Sequence, residues 1–246
     1  MRFVISIVKA EHMKMKRSIS VALIWAFPFL VFCMAFVFTL GITNAYAESV
    51  WNWWYALLLP GMLAIISYLS MRKEKKTRYY NFMTLSTSKK KLMMGKIIYL
   101  GCVILVSNII IFAGASFGGF LLTTSVPVSG AAIAILVLTI TQLWEIPLYL
   151  FLSERFGMIV ELLACMFLTV GGVLVAPSGK WYFFPSAIPM RVLCPLIHVL
   201  PNGIRAEAGN PLLNVSVVLP GICLSILWFV IVTILFLRWF DKMEVK

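Results

Sequence analysis

With 246 residues, 62% of them hydrophobic, and a mean hydropathy of +0.99, the chain carries far more apolar surface than one water-soluble core can bury, which excludes an ordinary soluble domain. A formal charge of +12 would suit a nucleic-acid binder, but the cations gather at the ends of apolar runs instead of forming an aromatic-interleaved patch. Five cysteines, at 33, 102, 165, 194 and 223, include no CxxC pair and give no disulfide or zinc framework.

Residues 1–17 place Phe3, Val4, Ile7, Val8 and Glu11 at helical spacing, with Lys9, Lys14, Lys16 and Arg17 supplying most of the polarity. That pattern suits an amphipathic helix on the inner leaflet, and equally a plain basic flank of the first span. Residues 21–43 are long enough to cross a hydrocarbon core of about 30 Å. Ala45-Tyr46-Ala47 resembles a signal-peptide cleavage site, but the preceding apolar run exceeds the usual signal length and reads as the first span.

Trp51, Trp53, Trp54 and Tyr55 open the second span, 53–71, as an interfacial aromatic belt. Pro60-Gly61 within it predicts a kink. Residues 72–96 follow as the longest polar stretch, nine Lys/Arg against one Glu, and read as a cytoplasmic loop. Ser86 or Ser88 is placed to cap a helix starting near Lys89. The third span is 97–122, with closely spaced small residues suited to tight helix contact. An uncharged turn at 123–130 leads to spans 131–153 and 157–176, an antiparallel hairpin.

Residues 177–212 are proline- and aromatic-rich and read as an outer, re-entrant segment of short helices. The sixth span, 213–237, again contains a Pro-Gly pair at Pro220. With both termini inside, 18 of the 21 Lys/Arg fall on the inner side, and only Lys180, Arg191 and Arg205 lie outside. The fold expected is an all-α, multi-pass protein of the cell membrane with six transmembrane helices.

No phosphate-cradling loop, nucleophile elbow or zinc-protease motif occurs, so the chain is read as a non-enzyme that binds no cofactor of its own. Cys194 and His198, four apart, are two ligands short of a closed metal site. Glu145 lies deep in span four, where an ionised carboxylate is costly. It therefore faces protein or water, or is neutral, and either a structural bond or a proton relay fits it. Glu161 is placed to pair with Arg155, and Glu154 to be a solvated turn residue or a contact to an inner partner.

WNWWYALLLPG at 51–61, QLWEIPLYLFLSERFGM at 142–158 and APSGKWYFFPSAIPMRVLCPLIHVLPNG at 176–203 resemble the permease subunits of lantibiotic-protection ABC transporters, the MutE/EpiE group within the ABC-2 permeases. The resemblance implies a fold with an N-terminal interfacial helix, a cytoplasmic coupling helix between spans two and three, and outer re-entrant helices before span six. It also implies partners: a second similar six-span permease, two copies of a cytosolic ATPase that holds ATP and Mg, and a cationic amphipathic peptide as cargo. Residues 1–17, 72–96 and 177–212 fall at the three expected places.

Within that frame Tyr79, Tyr80, Phe82, Met83 and Leu85 are the expected ATPase-coupling residues, apolar anchors inside a basic rim. Trp53, Trp54, Pro60, Trp181, Tyr182, Phe183 and Pro220 are the expected border of the substrate path, with ordinary interfacial anchoring as the alternative for each aromatic. Another amphipathic cargo, or an immunity protein that sequesters the peptide without transporting it, remain the competing functions.

Overall fold

The computed structural model describes residues 2–16, 18–39, 45–84, 87–122 and 126–243. Helix α1 (Arg2–Lys16) precedes α2 (Ile19–Thr39). After α3 (Tyr46–Trp53) come a π-helical turn (Trp54–Leu58), α4 (Leu59–Lys76) and the short α5 (Tyr80–Thr84). Next are α6 (Lys89–Leu121), α7 (Val128–Gln142), α8 (Glu145–Arg155), α9 (Met158–Val175), α10 (Ala187–Ile197) and α11 (Val218–Asp241). Among the described residues the only extended pairing is an isolated bridge between Val199 and Arg205.

Five stretches are long and apolar enough to cross a membrane, namely 19–39, 46–76, 89–121, 158–175 and 215–241; the bent pair α7–α8 makes a sixth if counted as one span. In α9 and the first part of α11 the surface is inverted relative to a soluble protein. In α9 the buried residues are Glu161, Cys165, Thr169 and Gly172, while Ile159, Leu163, Phe167 and Leu174 point outward. In α11, Gly221, Ser225 and Thr233 face inward and Leu219, Leu227 and Leu235 outward. Polar and small groups inside with large apolar groups outside is the arrangement a lipid solvent favours. The chain is an all-helical, multi-pass membrane protein.

Several boundaries differ from the sequence reading. The second span continues unbroken from 46 to 76 and the third begins at Lys89, so most of 72–96 is helix extending from the spans. Only 77–88 connects them. Pro60 does not break its helix. Its ring would collide with the carbonyl four residues back, and the turn widens instead, with Leu59 N–H donating to Trp54 O five residues earlier. Pro220 sits in the first turn of α11, where an intrahelical donor is not needed, so it causes no kink.

The fourth span is the one that breaks. Pro147 has no N–H to offer Leu143 O, and the ladder slips to three-residue bonds, Leu143 N to Ile140 O at 3.3 Å and Ile146 N to Leu143 O at 3.2 Å. The axes of α7 and α8 diverge by 41° there. Trp51, Trp54 and Tyr55 are not an exposed belt either: all three are buried in the core.

α10 packs into the bundle against α7, α9 and α11, and nearly all its side chains are buried. Its closest approach is to α7, where a Cβ on Gly130 would lie 1.9 Å from the carbonyl oxygen of Leu196. Gly130→Ala should therefore force α7 and α10 apart and lower the thermal midpoint of the purified protein, a cost of about 1–3 kcal/mol. Gly61→Ala, where a Cβ meets nothing within 4 Å, should leave the midpoint unchanged or raise it.

Candidate functional site

The basic ends of α1, α4 and α6 meet around buried charge. Glu11 lies on the same face of α1 as Ile7, and Ser70 and Glu74 are one turn apart on α4. Gly95 lets α1 approach α6 closely, for a Cβ there would fall 2.1 Å from Ile7 Cγ2. Next to it, Lys96 at 1% exposure donates to Glu11 Oε2 at 2.7 Å, Ser70 Oγ at 2.8 Å and Glu74 Oε1 at 3.2 Å. Lys14 bridges the same two carboxylates, 2.6 Å from Glu11 Oε1 and 2.9 Å from Glu74 Oε1. Lys73 donates to the carbonyl of Lys14, near the negative end of α1.

Two cations and two carboxylates thus balance in a closed network that pins the N-terminal helix to two spans. Burial alone would push the Glu11 carboxyl up, but Lys96 and Lys14 outweigh it and hold the group below the usual carboxylate range. Burial likewise acts to lower Lys14, and Glu11 and Glu74 reverse that, holding its ammonium above the usual lysine range.

The connection between α4 and α6 folds back onto the same end. Arg78 and Tyr79 adopt left-handed backbone (φ 48° and 56°), turning the chain sharply after α4. Tyr79 and Phe82 are buried against Phe240 at the end of α11, with ring centroids 6.3 and 5.4 Å away. Tyr80, by contrast, is 64% exposed, beside exposed Arg78. Of the expected coupling residues, two are therefore anchors within the chain and Tyr80 is presented outward. The Met83 side chain and Leu85 lie outside the described residues. Ser88 occupies the position before α6 without a side-chain capping bond.

Further ties draw the end together. Lys75 pairs with Glu154 at 3.5 Å, Lys90 with Asp241 at 3.0 Å, and Lys89 donates to Met243 O at 3.2 Å. Glu154 is thus a partner of α4 and not a solvated turn residue. The expected Glu161–Arg155 pair does not form. Arg155 is exposed, whereas Glu161 is at 0% exposure with neither carboxylate oxygen hydrogen-bonded.

The expected substrate-path residues separate into two groups. Trp53 stacks on Phe38 of α2 at 5.9 Å, while fully buried Trp54 donates from Nε1 to Asn108 Oδ1 at 2.8 Å. Asn108 in turn donates to Thr139 Oγ1 at 2.9 Å, a polar chain across the π-helical turn, α6 and α7. On the other side Trp181 packs against Ile188, Val192 and the start of α11, close to Pro220. Tyr182 and Phe183 project outward, 41% and 70% exposed. Pro60 is buried within α4.

Arg191 is turned onto the carbonyls of Leu212 and Pro211, at 2.7 and 3.4 Å. Cys194 is buried, and His198 leaves the helix in left-handed backbone and is exposed, so the two do not converge. Glu145 is buried at the α7–α8 break, where the amide nitrogen of Gln142, in the orientation that satisfies both groups, donates to its two oxygens at 2.6 and 3.1 Å.

Comparison with protein-family profiles, with curated proteins and with solved structures returned no match. The class stated above, a multi-pass helical membrane protein with five or six candidate spans, therefore stands on the helices themselves.

The network was hidden among residues that look like orientation signals. Its sequence traces were Glu74, the lone acid of a basic stretch, Glu11 on an apolar helix face, and Lys96 isolated between MMG and IIYL. Lys96→Met should leave two facing carboxylates sharing only Lys14 and destabilise the protein by about 3–5 kcal/mol, and adding Glu11→Gln should recover part of the loss. Thermal midpoints of the two singles and the double check this. Because the Glu11 carboxyl is held below its ordinary value of 4.5, its contribution is complete above that pH and fades as pH falls further. The midpoint of the wild type should drop on acidification more steeply than that of Glu11→Gln.

Proposed function

We propose that the chain is the membrane-spanning subunit of an ATP-driven exporter that expels lantibiotic-type antimicrobial peptides from the cell membrane, an ABC-2 permease with both termini cytoplasmic. The observation that carries the proposal is the construction of the basic end. Five elements, α1, α4, α5, α6 and α11, are tied there by ion pairs and edge-to-face rings. That leaves Tyr80 and the exposed cation Arg78 as a handle. A subunit without its own motor needs a stiff element to receive force, and buried anchors with one exposed aromatic in a basic rim suit docking on an ATPase.

In this reading a separate cytosolic ATPase, in two copies, binds ATP and Mg, and a second six-span permease completes the pore. Tyr182 and Phe183 at the opposite end offer apolar contact to an amphipathic peptide leaving the outer leaflet. The balance of cations at the basic end accords with a cytoplasmic location for it. The segment around α10 supplies the outer re-entrant element.

Purification in mild detergent separates this from sequestration by a lone chain. The exporter reading expects a P-loop protein and a second membrane chain to co-purify, and tolerance of the peptide to vanish when that ATPase is inactivated. Tyr80→Ala should weaken ATPase co-purification at least tenfold with little change in the thermal midpoint, whereas Phe82→Ala should lower the midpoint itself. Undiminished co-purification of Tyr80→Ala would remove the handle from the account.

A further inference from the structure

The seam between α8 and α9 is lined by groups that lipid-embedded helices ordinarily exclude. Glu145, Tyr149 and Ser153 recur every four residues along α8, and Glu161, Cys165 and Thr169 along α9; all six are buried. That spacing puts each trio on one helix face. α8 packs against α9 with both trios inside, and Tyr149 and Cys165 lie close to Glu145 in that seam. Both Glu161 oxygens lack a hydrogen-bond partner at 0% exposure, and so does the hydroxyl of Tyr149, also at 0% exposure.

Among the described residues no cation forms an ion pair with Glu145 or Glu161. On α4, Lys73 and Lys75 are engaged with the Lys14 carbonyl and Glu154, Glu74 belongs to the α1 network, and Arg72 and Lys76 are exposed. Tyr68, also on α4, is half-buried. On α6, Lys96 is held by Glu11 and Glu74; on α11, Arg238 is exposed and Asp241 pairs with Lys90. Arg191 and Cys194 of α10 bond to backbone carbonyls, and Tyr55 of the π turn donates to Leu200 O.

The two carboxyls differ in support. Glu145 stands in the first turn of α8 and receives both donors of the Gln142 amide, an environment that tolerates a carboxylate. Glu161 has neither counter-charge nor donor, and in a span an ionised group so placed is far costlier than the neutral acid.

We infer that the α8–α9 seam is a proton-binding site in which the Glu161 carboxyl holds the proton while the seam is closed, with Glu145 as the second acceptor and Tyr149 and Cys165 as the polar groups between them. Gly157, at φ 85° with open space around it, is the pivot on which α9 swings away from α8. Opening admits water, the Glu161 proton leaves to water or to the Glu145 carboxylate, and the ionised seam resists closure. The closed form binds more protons than the open one, so acid favours closure and alkali opening.

Infrared spectroscopy of the full chain in lipid nanodiscs, titrated from acid to alkaline pH, tests this without reference to any cargo or ATPase. A protonated-carboxyl stretch should be present at neutral pH, vanish on alkalinisation, and be absent from Glu161→Gln. It should persist in Glu145→Gln with its pH of disappearance displaced. Tyr149→Phe should keep the band but slow its shift in heavy water. A second readout is proton release after an alkaline jump, which should fall by about one per chain in Glu161→Gln. Absence of the band from the wild type, its survival in Glu161→Gln, or unchanged proton release would overturn the inference.

Discussion

The basic end of this protein depends on one buried ammonium group. Lys96 sits between Glu11 and Glu74 with a serine hydroxyl as third acceptor, so it satisfies its donors while joining α6 to the two helices that Lys14 also bridges. A lone lysine at that depth would be prohibitive, and two buried carboxylates sharing only Lys14 would be costly. Together they convert an amphipathic N-terminal helix, which sequence alone would lay loosely on a bilayer, into a fixed part of the bundle. The close contact of Ile7 with Gly95 follows from that attachment.

From this fixed end the remaining order propagates by packing. The left-handed turn at Arg78 and Tyr79 drops Tyr79 and Phe82 onto Phe240, tying the last span to the first connection. At the other end, α10 is wedged against α7, α9 and α11. Between the two ends lie the widened turn before Pro60 and the 41° break before Pro147, while the glycine turn at 157 sits beside the basic end, close to Glu154.

How much of this could be read from the chain depended on whether a residue's role was local. Apolar length and the placement of Lys and Arg are local properties, and they delivered the helical class, the approximate spans and the basic end. Proline effects were half legible. Pro147 broke its helix because it follows an uninterrupted α-helical run, Pro60 was absorbed by a wider turn, and Pro220 fell where no bond was needed. Partnerships were not legible. Lys96 and Arg72 look alike in sequence, yet one is buried between carboxylates and the other exposed, because only the approach of α1 distinguishes them. Trp54 reads as an interfacial anchor until Asn108, 54 residues away, supplies its acceptor. Glu161 looked close enough to Arg155 to pair, but the helix face it occupies turns it inward.

That the basic end behaves as one unit is most directly tested by hydrogen exchange of the full chain in nanodiscs, resolved by segment. Backbone amides of α1 should exchange as slowly as those of the adjoining turns of α4 and α6, and Tyr79 to Thr84 should be protected together with the end of α11. Exchange of α1 at the rate of a peripheral helix, with α4 and α6 still protected, would contradict the account.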